Sequence, residues 1–180
     1  RDDDSAVIVA RLNGELQIRD EQGVAASITT SGSDVVVAGI TPAGAVLWMR
    51  TLGLKSGTII APSGGDVWIA GTLPGAATTI KIGDEQVPLP SLQFDPALDL
   101  RVLLRIGADG DAVEARVVGA GLPAGYLSSN GLSLLLTGDY TCNEAVPVLF
   151  DEGGVGVQMA SACAQPDTKA YRGYVLSVKI

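Results

Sequence analysis

The sequence contains no histidine and only two cysteines in 180 residues. Without imidazole, Ser-His-Asp and Cys-His nucleophile systems have no base, and the commonest metal ligand is missing. Two thiols by themselves complete no tetrahedral metal set. Basic residues are few as well: 12 lysines and arginines stand against 20 acidic groups, a formal charge of −8. That field repels phosphate backbones and anionic membrane surfaces, so nucleic acid is not an expected partner. Long apolar runs are also scarce. The most apolar window, residues 35–49, is broken by Gly39, Thr41, Pro42 and Gly44 and is too short to span a membrane. Glycine-rich stretches follow strands instead of opening helices, which leaves no phosphate cradle and no expected cofactor. No signal peptide is visible, and the opening Arg1-Asp2-Asp3-Asp4 reads as the start of a mature or processed form.

What the chain does have is branched aliphatic content. Hydrophobic residues make up 47% of it, aromatics only 4%, while 23 glycines and 9 prolines punctuate the sequence every few positions. The apolar content is ample for a core, and the length suits one ordinary domain or a few small repeats. Long helices do not survive such punctuation. The expected fold class is therefore all-β.

Strand and turn signals recur at short spacing. Residues 6–12 and 15–19 alternate around Asn13-Gly14, a strong two-residue hairpin signal. The same grammar joins 35–40 to 45–50 through Thr41-Pro42-Ala43-Gly44, and 100–106 to 112–118 through Ala108-Asp109-Gly110-Asp111. A further set of hairpins ends on glycine: 27–29 with 35–37, 58–60 with 67–70, and 126–127 with 132–136. Between them lies a proline-bearing excursion, 75–99, whose small hairpin at 79–88 is expected at a sheet edge. Asp95-Pro96 offers a helix start with Leu98 and Val102 at helical spacing, yet 100–106 is better explained as a strand.

The segments 28–40, 60–72 and 127–139 align with one another, each closing on glycine at Gly39, Gly71 or Gly138. A hairpin copied along a chain argues for units that bury their apolar faces only against their neighbours. Residues 1–180 are accordingly expected to form one module of antiparallel four-stranded meanders, with approximate repeats at 5–40, 35–99 and 100–172 and with 173–180 opening a further unit.

Three stretches carry a resemblance: Val102-Leu-Leu-Arg-Ile-Gly-Ala-Asp-Gly110, the tryptophan strand Val46-Leu-Trp48-Met-Arg-Thr-Leu-Gly53, and Ser63-Gly-Gly-Asp66-Val-Trp-Ile-Ala-Gly71-Thr. Together they resemble the SBBP-type β-propeller repeat of bacterial secreted and lipid-anchored proteins. Tryptophan is missing where Gln17 and Glu114 stand in the other copies. The resemblance implies that each meander is a blade and that the protein is secreted or at the cell surface. A closed ring takes about four to eight blades and this chain supplies roughly three, so a protein partner or self-association is expected to close the stack.

Candidate chemistry is sparse. Cys142 and Cys163, both in polar, loop-like surroundings, favour a disulfide in an oxidising compartment over two unrelated thiols. Asp109 with Asp111, and Asp84 with Glu85, resemble paired carboxylates but sit where turns favour acidic side chains for local hydrogen bonding. The same Asp109-Gly110-Asp111 turn and the terminal Asp2-Asp3-Asp4 lack the spacing of a calcium loop. Trp48 and Trp68 are the candidates for stacking a glycan, against a core role in their strands. The functional expectation is a non-catalytic extracellular binding or assembly module. The alternatives are a carbohydrate-active enzyme or its accessory sugar-binding domain, and a structural subunit of an extracellular polymer joined by strand addition.

Overall fold

Alternating apolar side chains between glycine turns fold as strands wherever the chain is described. The structure is a computed structural model that describes residues 6–20, 23–63, 65–122, 127–129, 132–141, 148–150, 156–158 and 171–179. Among them are fourteen strands and no helix. A first sheet has the order β1 (Ala6–Asp20), β2 (Gly23–Ile40), β3 (Val46–Leu52), β6 (Thr79–Ile82), β7 (Glu85–Pro88). A central sheet runs β4 (Ser56–Ser63), β5 (Asp66–Leu73), β8 (Leu100–Ile106), β9 (Ala112–Ala120), β12 (Val148–Phe150), β13 (Gly156–Gln158). A third holds β10 (Leu127–Ser129), β11 (Ser133–Thr141) and β14 (Tyr171–Lys179). Every described pairing is antiparallel. One of the sheets curls into half a barrel.

The central sheet has a covered layer on each face. Strand side chains alternate between faces, so β8 sends Val102, Leu104 and Ile106 into one apolar cluster and Leu103 into another. On β5, Val67 and Ile69 join the first cluster while Trp68 and Ala70 join the second. The first cluster is completed by Val35, Val37, Trp48, Leu52, Ile80 and Ile82 from the first sheet. Leu134 and Leu136 of β11 complete the second. This explains why β5 and β8 read as nearly continuous apolar runs in an antiparallel sheet, where one-sided burial gives strict alternation.

Most of the expected turns form. The 41–44 turn closes β2 onto β3 through Thr41 N–H donating to the Ala45 carbonyl at 2.8 Å. Residues 107–111 close β8 onto β9, with Gly107 N–H donating to the Asp111 carbonyl at 2.9 Å. Pairings Ser63↔Asp66 and Leu127↔Leu136 realise the hairpins at 58–70 and 126–136. The 79–88 hairpin does lie at the edge of its sheet, as β6 and β7. At Asp95 one turn forms and stops: Leu98 N–H donates to the Asp95 carbonyl at 3.0 Å, and the chain then enters β8.

Two expectations are corrected. Asn13-Gly14 is not a turn, because β1 runs straight through it and finds fourteen register partners along β2, far more than a local hairpin offers. The 31–34 turn is likewise absent, since β2 is continuous from Gly23 to Ile40. The two unused turn signals face each other where the register steps from Leu12↔Asp34 to Gly14↔Thr30, so the surplus residues are absorbed as a bulge. Thr30, 6% exposed, fills that bulge: its hydroxyl accepts from Gly14 N–H at 3.2 Å and faces the Leu12 and Gly14 carbonyls at 3.3 Å. The last strand, β14, pairs with β11 from Ser133↔Lys179 to Thr141↔Tyr171 and lies at the edge of the third sheet.

The units are also distributed differently from separate four-stranded meanders. The 100–172 stretch gives β8, β9, β12 and β13 to the central sheet and β10 and β11 to the third. The 35–99 stretch is likewise shared, with β4 and β5 central and β3, β6 and β7 in the first sheet. Hairpins that alternate between neighbouring layers tie those layers together covalently.

Candidate functional site

Trp48 and the cleft beside it form the most elaborate constellation among the described residues. Trp48 lies on the inward register of β3, opposite Gly39 of β2. A Cβ on Gly39 would lie 2.6 Å from the indole ring, so only glycine leaves room for it. The ring reaches the β8–β9 turn, where Gly110, at φ +86°, touches other atoms of the same indole and admits no side chain either. Indole Nε1–H donates to the Ala108 carbonyl at 2.7 Å. Trp48 thus bolts the first sheet to the central one, and its polar edge is already used.

One register step further, Arg50 replaces the aliphatic residue that the inward alternation demands. Its guanidinium donates to the Met49 carbonyl at 3.1 Å and to Asp111 Oδ1 at 3.3 Å, across to the central sheet. Arg50 Cδ lies so near Gly83 that a Cβ there would approach it to 3.2 Å. The β6–β7 turn is held in place by Gly53 N–H donating to the Lys81 carbonyl at 2.8 Å and Gly83 N–H donating to the Thr51 carbonyl at 2.7 Å. Around these groups opens a cleft of about 490 Å³, whose lining includes Ile28, Met49, Arg50, Lys81, Asp84, Glu85 and Asp111.

The cleft brings cations and carboxylates together. Asp111 is engaged by Arg50, and Asp109 Oδ1 accepts Asp111 N–H at 3.1 Å, as an aspartate in a turn does. Such a site suits polar recognition by charge and hydrogen bonding. Among the described residues no group of three or more carboxylate, thiol or imidazole side chains is placed to hold a metal.

The residues singled out from the sequence lie as follows. Trp68 is 1% exposed between the central and third sheets, with the Arg116 guanidinium 5.8 Å from its ring centroid. Trp48 is 6% exposed. Neither indole presents an open face on which a sugar ring can stack, because each fills space between two sheets. Cys142, Cys163 and Asp2-Asp3-Asp4 lie outside the described residues. Arg50 and Lys81 were not legible as site residues, although a charge in the inward alternation of β3 was a signal. Arg101 was missed too: it is wholly buried on β8, with Thr72 of β5 and Gly119 of β9 as its register partners.

Compared with family models, curated proteins and solved structures, the chain matches none.

Proposed function

We propose that this chain is a non-catalytic, extracytoplasmic binding or assembly module of β-propeller-like design, similar to the SBBP repeat proteins. The observation that carries the reading is the stacking of sheets face to face, with the central sheet covered on both sides while the third sheet's outer face carries Val175 at 69% and Leu135 at 43% exposure. A stack of this kind gains stability by covering its last layer, since apolar area removed from water is worth roughly 25 cal/mol per Å². The occupant is a protein partner or another copy of the chain, and the cleft at Arg50 is a second surface open to a polar segment. Cys142 and Cys163 are proposed to be bonded, as an oxidising compartment favours. The glycan-reading alternative is weaker, because it relied on Trp48 and Trp68 and both rings are interior.

Native mass measured by light scattering tests the reading. Particles heavier than the 18.4 kDa chain, reverting to single chains when Val175→Lys and Leu135→Lys are introduced together, are the expected result. A soluble single chain at every concentration, unaffected by the double change, would sink self-association and leave only a partner protein as the covering layer.

A further inference from the structure

The bulge in the β1–β2 ribbon holds a residue pair with chemistry of its own. Asn13 is exposed and skipped by the ladder, which steps from Leu12↔Asp34 to Gly14↔Thr30. The next residue, Gly14, has φ +111°, and no heavy atom lies within 4 Å of where a Cβ would be. An asparagine followed by glycine is the sequence best able to cyclise, because glycine adds no side chain to obstruct its own nitrogen as it approaches the preceding amide carbon. Regular strands suppress this by fixing the backbone in a ladder. Here the ladder skips Asn13 and resumes at Gly14, whose N–H donates to the hydroxyl of Thr30 at 3.2 Å instead of to a strand carbonyl.

We propose that Asn13-Gly14 is a self-modifying site, converting by way of a succinimide to aspartate and isoaspartate, and that Thr30 sets its rate. In the first step water or hydroxide removes the Gly14 amide proton. The nitrogen then attacks Asn13 Cγ, a C–N bond forms, and the side-chain amide leaves as ammonia after protonation. In the second step water adds to either carbonyl carbon of the five-membered ring and breaks one C–N bond, giving aspartate or isoaspartate. No oxidant or metal takes part. The nucleophile is the nitrogen whose proton the Thr30 hydroxyl engages, so the native bond restrains both deprotonation and rotation of the peptide. Thr30 is 6% exposed, which keeps water from substituting for its hydroxyl.

The product alters the ribbon at its joint. Aspartate adds a negative charge beside Leu12, whose register partner is Asp34, and isoaspartate inserts an extra backbone carbon where the two halves of β1 meet. Self-association through the third sheet does not involve this ribbon, so the site stands or falls independently of the proposed function.

The test is ageing of the folded full chain in mildly alkaline buffer, followed by peptide mapping. The expected result is a gain of about one mass unit on the peptide holding Asn13, with isoaspartate recognised by its specific methyltransferase. Mapping separates this from the chain's other Asn-Gly pair, Asn130-Gly131, which lies outside the described residues. Thr30→Val, checked for retained strand signal by circular dichroism, is expected to convert roughly fivefold faster or more, while Thr30→Ser keeps the native rate because it keeps the hydroxyl. The site is overturned if Asn13 in the folded chain keeps its mass while the urea-unfolded chain converts. The role of Thr30 is overturned if Val and Ser variants age alike.

Discussion

The two apolar interfaces of the central sheet are built on the same strands but are unequal. Among the described residues, seventeen buried side chains fill the side facing the first sheet and eight fill the side facing the third. On the larger side a tryptophan is fixed by a hydrogen bond to a turn carbonyl and by two glycines that make room for it. On the smaller side the tryptophan's neighbours at the rim are charged: Arg116 lies over Trp68, pairs with Glu114 and donates to the Lys179 carbonyl at 2.8 Å. The difference teaches that the central and first sheets form the stable body, while the third sheet is a thinner layer fastened partly by polar contacts that water competes for.

Breaking the larger interface gives the largest expected effect. Trp48→Ala removes a buried indole and its bond to Ala108, with an expected loss of about 3–5 kcal/mol in urea unfolding. Trp48→Phe keeps a six-membered ring while losing the bond to Ala108 and part of the packing, and is expected to cost less than Trp48→Ala. Trp68→Ala removes a similar volume from the smaller interface, and hydrogen exchange is expected to show β11 and β14 losing protection before β8. Equal loss across all three sheets in that experiment would refute the ranking of the two interfaces. Gly39→Ala comes next: a methyl 2.6 Å from the indole forces the ring or strand to move, at an expected 1–3 kcal/mol or so. Smallest is Lys55→Ala, which breaks an ion pair to Asp99 at 2.8 Å whose side chains are 57% and 38% exposed. Its expected cost is about 0–1 kcal/mol, shrinking with added salt, and a larger loss would mean that charge holds the sheets more than burial does.

Much of the fold was legible because strand and turn signals are local. The turns at 41–44 and 107–111 and the edge hairpin at 79–88 each need only a few neighbouring residues, and each forms as expected. Asn13-Gly14 shows the limit of local reading. Its turn chemistry is strong, but a long complementary partner in β2 outweighs it, and that partner is recognised only when 6–20 and 23–40 are laid side by side. The site was harder still. Trp48 was legible as a strand tryptophan, yet the cleft is assembled from β2, β3 and two turns remote in sequence, so Arg50 and Asp111 meet across 61 positions.

The sequence by itself determined that this protein is made of antiparallel strands, because alternation and glycine spacing act over a handful of residues and leave helices no room. Only the tertiary structure decided which hairpin joins which layer, because each apolar face is satisfied equally well by any complementary face until the connections fix the choice. That is why β10 and β11 leave the sheet of β8 and β9, and why Trp48 and Trp68, alike in the sequence, serve opposite faces of one central sheet.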